Sequence, residues 1–196
     1  MRSAEARNNL FSRAASPLVN TTKADQSNPP DGSAPSVGSH QLWYVLFMII
    51  AVGSDHAGFP LKSVVIECIR AAGHEITDCG AFQLDPADDY PDFAGAVARA
   101  VADKTADRGI LVCGSGVGAS VAANKVRGVR CALCHDTFSA RQEVEDDDMN
   151  VLALGARIIG PSLAQECINA FLRARFSEAA RHRRRLEKVI ALEASS

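Results

Sequence analysis

The stretch from Gly109 to Ser120, Gly-Ile-Leu-Val-Cys-Gly-Ser-Gly-Val-Gly-Ala-Ser, sets a thiol between an apolar run and a glycine-rich turn. Ile110 to Val112 has the continuous apolar character of a strand buried on both faces of a parallel sheet. Gly114, Gly116 and Gly118 permit a tight turn whose backbone N–H groups converge at the start of a helix. Such a turn is a cradle for a phosphate, or for an oxyanion that forms during a reaction. Cys113 stands at the lip of that cradle, where the thiolate is favoured, so it is a candidate base or nucleophile. The spacing is Gly-x-Gly-x-Gly and no Gly-Lys-Ser/Thr follows, so the dinucleotide fingerprint and the P-loop both fit poorly. On spacing alone an inert alternative stands beside this one: a buried strand-end cysteine followed by a packing turn.

Stepping outward, the elements that must hold this turn are strands and helices in alternation from Met48 onward. Apolar runs predict strands over 48–53, 75–79, 109–113, 129–134 and 151–154. Helical spacing such as Leu61, Val65, Cys68, Ile69 and Ala72, with Pro60, Pro91 and Pro161 at helix starts, predicts helices over 60–72, 91–103, 117–126, 137–145, 161–173 and 178–193. Repeated βαβ units build a parallel doubly wound sheet that binds ligands at the carboxyl ends of its strands. Those ends carry Ser54-Asp55-His56, Cys113-Gly-Ser-Gly, His135-Asp136 and Gly155-Ala-Arg157. A carboxylate, an imidazole, a thiol and a guanidinium thus share one edge. Individually, Asp55 could instead cap the next helix and His135 could be an exposed loop residue.

The bulk properties bound the function. At 196 residues the chain holds one domain of about 150 residues and an appendage. Residues 1–47 form the appendage: a leader rich in Ser, Ala, Asn and Pro that has too little apolar content to fold. Within residues 1–24, Arg2, Arg7, Arg13 and Lys23 against a single acid, Glu5, suit either an organellar transit peptide or a non-native extension. Without import, a cytoplasmic location is expected. The domain then covers 48–196. A net charge of −2 argues against a nucleic-acid partner, although Arg181-His182-Arg183-Arg184-Arg185 is locally cationic. Six cysteines, of which only Cys131 and Cys134 stand in Cys-x-x-Cys spacing and do so inside an apolar run, read as reduced thiols rather than a zinc knuckle or disulfide framework. The apolar run from Leu42 to Val52 is about half the roughly 20 residues that a bilayer crossing needs, so no membrane span is expected.

A set of motifs in fixed order resembles one family: Val52-Gly-Ser-Asp-His-Ala-Gly58, Asp89-Tyr-Pro-Asp-Phe93, Cys113-Gly-Ser-Gly-Val-Gly118, Ala123-Asn-Lys125, Asn150-Val-Leu152, Gly155-Ala-Arg157 and Arg181-His182. These are similar to the type B ribose-5-phosphate isomerases, a family that also includes galactose-6-phosphate isomerase subunits. The resemblance runs from residue 48 to about 193. It implies an α/β fold, a flavodoxin-like three-layer sandwich around a five-stranded parallel sheet. It also implies a homodimer or dimer of dimers with active sites shared between subunits, a phosphorylated sugar as substrate, and no metal or organic cofactor.

Carried over by motif, Cys113 resembles the base that moves a proton between C2 and C1 of the open-chain sugar, and Ser115 a proton relay between oxygens. Gly114, Gly116 and Gly118 resemble the enediolate cradle. Asp55, His56, Tyr90, Asn124, His135 and Asp147 fall among expected substrate contacts, with Asn124 steadying a loop. Arg157, Arg181 and Arg185 resemble a phosphate clamp. One departure concerns Asp146, which with Asp147 and Asp148 stands where the family has a ring-opening histidine followed by Asn-Asp. An aspartate is a weaker proton donor than an imidazole near neutral pH. The reading is therefore an aldose–ketose isomerase, with ribose 5-phosphate and ribulose 5-phosphate as the expected pair. Another sugar phosphate, or a catalytically weakened sugar-phosphate binder, is the alternative.

Overall fold

In the computed structural model of the chain, the described residues are 47–194. The expected leader, apart from its last residue, lies outside them. β1 (Ile49–Ser54), β2 (Glu75–Asp78), β3 (Arg108–Cys113), β4 (Cys131–Leu133) and β5 (Val151–Gly155) alternate with α1 (Phe59–Ala71), α2 (Tyr90–Ala102), α3 (Val117–Ala123), α4 (Thr137–Asp147) and α5 (Pro161–Arg173). A last helix, α6 (Ala180–Ala194), follows α5 without a strand between them. All four strand pairs are parallel, in the order β2-β1-β3-β5-β4.

The period of two along each strand explains the three layers. On one face Ile50, Val52, Ile110, Val112, Leu152 and Leu154 are buried against apolar residues of α1, α4 and α5. On the other, Ala51, Leu111, Val151 and Ala153 meet Ala94, Val97, Ala98 and Val101 of α2 and Ala119 and Ala123 of α3. Small residues let α2 approach closely: a Cβ added at Gly53 would stand 2.8 Å from the Val97 side chain.

Two elements are shorter than their spacing predicts. α3 stops at Ala123 instead of 126, because the Asn124 side chain turns toward the next strand and accepts from the Cys131 N–H at 2.9 Å. β4 covers 131–133 instead of 129–134: it pairs only with β5, and the Arg130 N–H donates to Asn150 Oδ1 instead of to a strand neighbour.

Candidate active site

The chain leaves β1 toward β2 on one side and reaches β3 on the other, so the carboxyl ends of β1 and β3 flank the switch point of the sheet, where such folds open a crevice. Asp55-His56 and Cys113-Gly-Ser-Gly enter it from those two strands. The Cys113 sulfur, 5% exposed, accepts a hydrogen bond from the Gly116 N–H at 3.1 Å. This is the reverse of Cys68 and Cys79, whose thiols donate to the carbonyls of Gln165 and Thr77. The Cys113 sulfur thus stands as an acceptor, the role that a base or nucleophile has to fill. Burial instead pushes Cys131 and Cys134 up to about 12 and Cys167 up to about 11, which keeps them as packing thiols.

Gly116 begins α3 in the left-handed region, φ 83°, and a Cβ there would fall 2.3 Å from the Leu133 side chain. The turn therefore has to be built from glycine. A Cβ at Gly118 would fall 2.8 Å from the Tyr90 ring, so the phenol of α2 lies directly over the start of α3. Ser115 is exposed, its Oγ accepting only a long 3.4 Å bond from the Val117 N–H.

Asp55 is 7% exposed, and its Oδ1 accepts from the Gly58 N–H at 2.8 Å; this closes the turn ahead of α1 and does not cap the helix, whose N-cap is Gly58. His56 is held by a residue that the motifs did not single out. Asp88 Oδ1 accepts from the His56 backbone N–H at 3.0 Å and pairs with its ring Nδ1 at 2.7 Å. The hydrogen bond to Asp88 is the main reason that the His56 imidazole titrates above its ordinary range. The Asp88 and Asp55 charges add to it, while partial burial and Arg157 oppose it. The loop carrying Asp88 is tied down by buried Lys62, whose ammonium donates to Asp78 Oδ1 at 2.6 Å and to the Ala81 carbonyl at 2.8 Å. Arg157 comes close to the same place, with its side chain 3.7 Å from where a Gly114 Cβ would stand. His135 accepts from the Gly155 N–H through Nε2 at 2.9 Å, and burial lowers its pKa. It thus serves the β4–β5 edge as a neutral imidazole.

Other expected site residues do not join this group within one chain. Asn124 spends its side chain on the fold, as the loop-steadying role expects: its amide donates to the Ser120 and Cys131 carbonyls, at 2.9 and 2.7 Å, while its oxygen accepts from the Cys131 N–H. With three bonds committed, it straps α3 to β4. Asp146 and Asp147 end α4, which runs back from the carboxyl ends of the strands for 11 residues, about 16 Å. The next residue, Asp148, pairs with Arg130 just before β4, at the opposite edge of the sheet from Cys113. Arg181 and Arg185 lie near that edge on α6, whose His182 touches Asp146. The expected clamp is divided, with Arg157 at one edge and Arg181 and Arg185 at the other. Among the described residues, no group of three or more His, Cys, Asp or Glu is placed to hold a metal ion. No helix there is long and apolar enough to cross a membrane.

Comparison with known proteins settles the family. Residues 50–189 match the model described as Ribose/Galactose Isomerase. The chain belongs to the ribose/galactose isomerase family. It is 42% identical over 144 residues to ribose-5-phosphate isomerase B of Escherichia coli, covering 74% of this chain and 95% of that one. It is also 44% identical over 130 residues to a D-erythrulose-4-phosphate isomerase of Pectobacterium atrosepticum, covering 65% and 84%. The solved type B ribose 5-phosphate isomerase of Trypanosoma brucei superposes with a TM-score of 0.73 at 45% identity, covering 75% of this chain and 99% of that one. As a member of the family, the chain is a sugar-phosphate aldose–ketose isomerase, an intramolecular oxidoreductase.

Proposed function

We propose that the enzyme interconverts ribose 5-phosphate and ribulose 5-phosphate through an enediolate, with Cys113 as the base. The observation that carries this reading is the Cys113 sulfur accepting a backbone N–H in the switch-point crevice. The thiolate takes the proton from C2 of the open-chain aldose and returns it at C1, while Ser115 passes the hydroxyl proton between O2 and O1. As the proton leaves, negative charge develops on the carbonyl oxygen. Ser115 and Gly118 keep backbone N–H groups free of any acceptor among the described residues, placed to meet that charge. Preorganised donors of this kind are worth about 10²–10³ in rate. His56 and Arg157 supply positive charge beside the thiol for the phosphate.

The remaining expected site residues reach the crevice if two chains form a homodimer, each offering Asp147, Arg181 and Arg185 to the thiol side of the other. Exposed apolar side chains around the Cys113 edge support this arrangement: Val117, Val121, Phe138 and Ile158 are each more than half exposed in the single chain. Cys113→Ala is expected to lose about 10²–10⁴-fold in kcat while still binding inorganic phosphate, measured by inhibition and calorimetry. A variant retaining a tenth of the wild-type kcat would show that another group is the base.

One observation favours a four-carbon substrate as the second reading. Asp146 acts as acceptor for Gln142, at 2.6 Å, and lies 3.2 Å from His182, so it offers no donor to a ring oxygen. A four-carbon aldose 4-phosphate cannot close a furanose through its phosphorylated oxygen and needs no ring-opener. Measuring kcat/KM across four-, five- and six-carbon aldose phosphates decides between the two: preference for the five-carbon sugar sustains the first reading.

A further inference from the structure

We propose that Asp146 is a positioning residue that acts through His182 on Arg181, so that a carboxylate ending α4 aims a phosphate-binding guanidinium at the start of α6. The inference rests on the reading above, in which Arg181 binds the substrate phosphate. It is carried by an unbroken run of polar contacts. Arg181 Nε donates to His182 Nε2 at 2.7 Å. A ring nitrogen that accepts has no proton, so the imidazole proton sits on Nδ1. There it faces two acceptors, Ser177 Oγ at 2.7 Å and Asp146 Oδ1 at 3.2 Å. Gln142 Nε2 holds the other oxygen of Asp146 at 2.6 Å, which fixes the carboxylate plane.

His182 is 3% exposed, enclosed by its own chain, so its ring acts on its neighbours rather than on substrate. Arg181 is exposed, and its two terminal nitrogens have no acceptor among the described residues. Pinning Nε while leaving the fork free is the state in which a guanidinium meets a phosphate bidentately with little ordering left to do. Arg185, four residues on, shares the face of α6 that carries Arg181. The relay thus gives the aspartate at position 146 a task that needs no proton donation.

The test is a double-mutant cycle on inorganic phosphate affinity, with KM and kcat measured alongside. Asp146→Leu removes the acceptor at similar volume and is expected to raise the phosphate Kd and the KM about three- to tenfold, with kcat changed less than about twofold. Asp146→Asn keeps an acceptor and is expected to stay near wild type. The double variant Asp146→Leu with Arg181→Ala should bind phosphate no more weakly than Arg181→Ala alone. If Asp146→Leu does not fold, Asp146→Ser carries the same cycle. Additive losses, or an unchanged phosphate Kd in the Asp146 variant while Arg181→Ala weakens binding, would overturn the relay and leave the clamp standing. An unchanged Kd in Arg181→Ala would overturn the clamp and the relay together.

Discussion

His56 meets Asp88 twice, through its ring and through its backbone N–H, and in the proposed phosphate site this pairing is expected to set the response to pH. Because the Asp88 hydrogen bond raises the His56 pKa, the imidazolium persists to higher pH than a free histidine would. Its attraction for phosphate is complete below the ordinary histidine range and fades as pH rises through the elevated value. KM is therefore expected to climb on the alkaline side of neutrality. In Asp88→Asn the climb should begin at lower pH, with kcat at saturation little changed. A KM–pH profile that does not move on this substitution would mean that His56 carries no charge used in binding.

At the level of elements, the short helix α3 and the edge strand β4 depend on one side chain. Asn124 makes three hydrogen bonds there: one donated within α3, to the Ser120 carbonyl, and two across the gap, donated to the Cys131 carbonyl and accepted from the Cys131 N–H. Asn124→Ala leaves the Cys131 backbone groups without those partners, and a buried group left unpaired costs about 1–3 kcal/mol. The variant is expected to lower the thermal midpoint by several degrees while binding phosphate as wild type does, measured by thermal unfolding and phosphate inhibition. Loss of phosphate affinity without loss of stability would return Asn124 to the substrate. α4 matters differently: its direction alone separates Asp146 and Asp147 from the thiol that precedes the glycine turn.

Considered as a whole, one chain sets its expected site residues in two groups, at opposite ends of its strands. The thiol half comprises Cys113, Ser115, His56, Asp88 and Arg157, and the cationic half comprises Arg181 and Arg185 beside Asp146. The proposed homodimer joins them, and complementation tests it. Chains carrying Cys113→Ala and chains carrying both Arg181→Ala and Arg185→Ala should each be nearly inactive. Mixed, denatured and refolded in equal amounts, half of the dimers are heterodimers with one intact site of two. About a quarter of wild-type activity should return, because each intact site draws its thiol and its arginines from different chains. No recovery in such a mixture, with dimers present by sedimentation, would place both halves of the site in one chain.

The local chemistry of this protein is legible in its sequence. Continuous apolar runs make strands, and proline-led runs of helical period make helices between them. In a parallel sheet the residue ending each strand faces the crevice, so Cys113, His56 and Arg157 could be named as neighbours from strand ends alone. The glycines of the turn declare themselves because no other residue takes that backbone path past Leu133 and Tyr90. What the tertiary structure decided are relations that span many residues. Asp88 lies in a loop whose carboxylates look alike in sequence, and only the folded loop shows that Asp85 accepts from the Ala87 N–H while Asp88 meets His56. β5 runs inside the sheet and β4 at its edge, an inversion of chain order that the pattern of neither strand records. Asp146 turns to His182 because α4 and α6 pack at the edge far from Cys113, and no periodicity within either helix records where the other comes to rest.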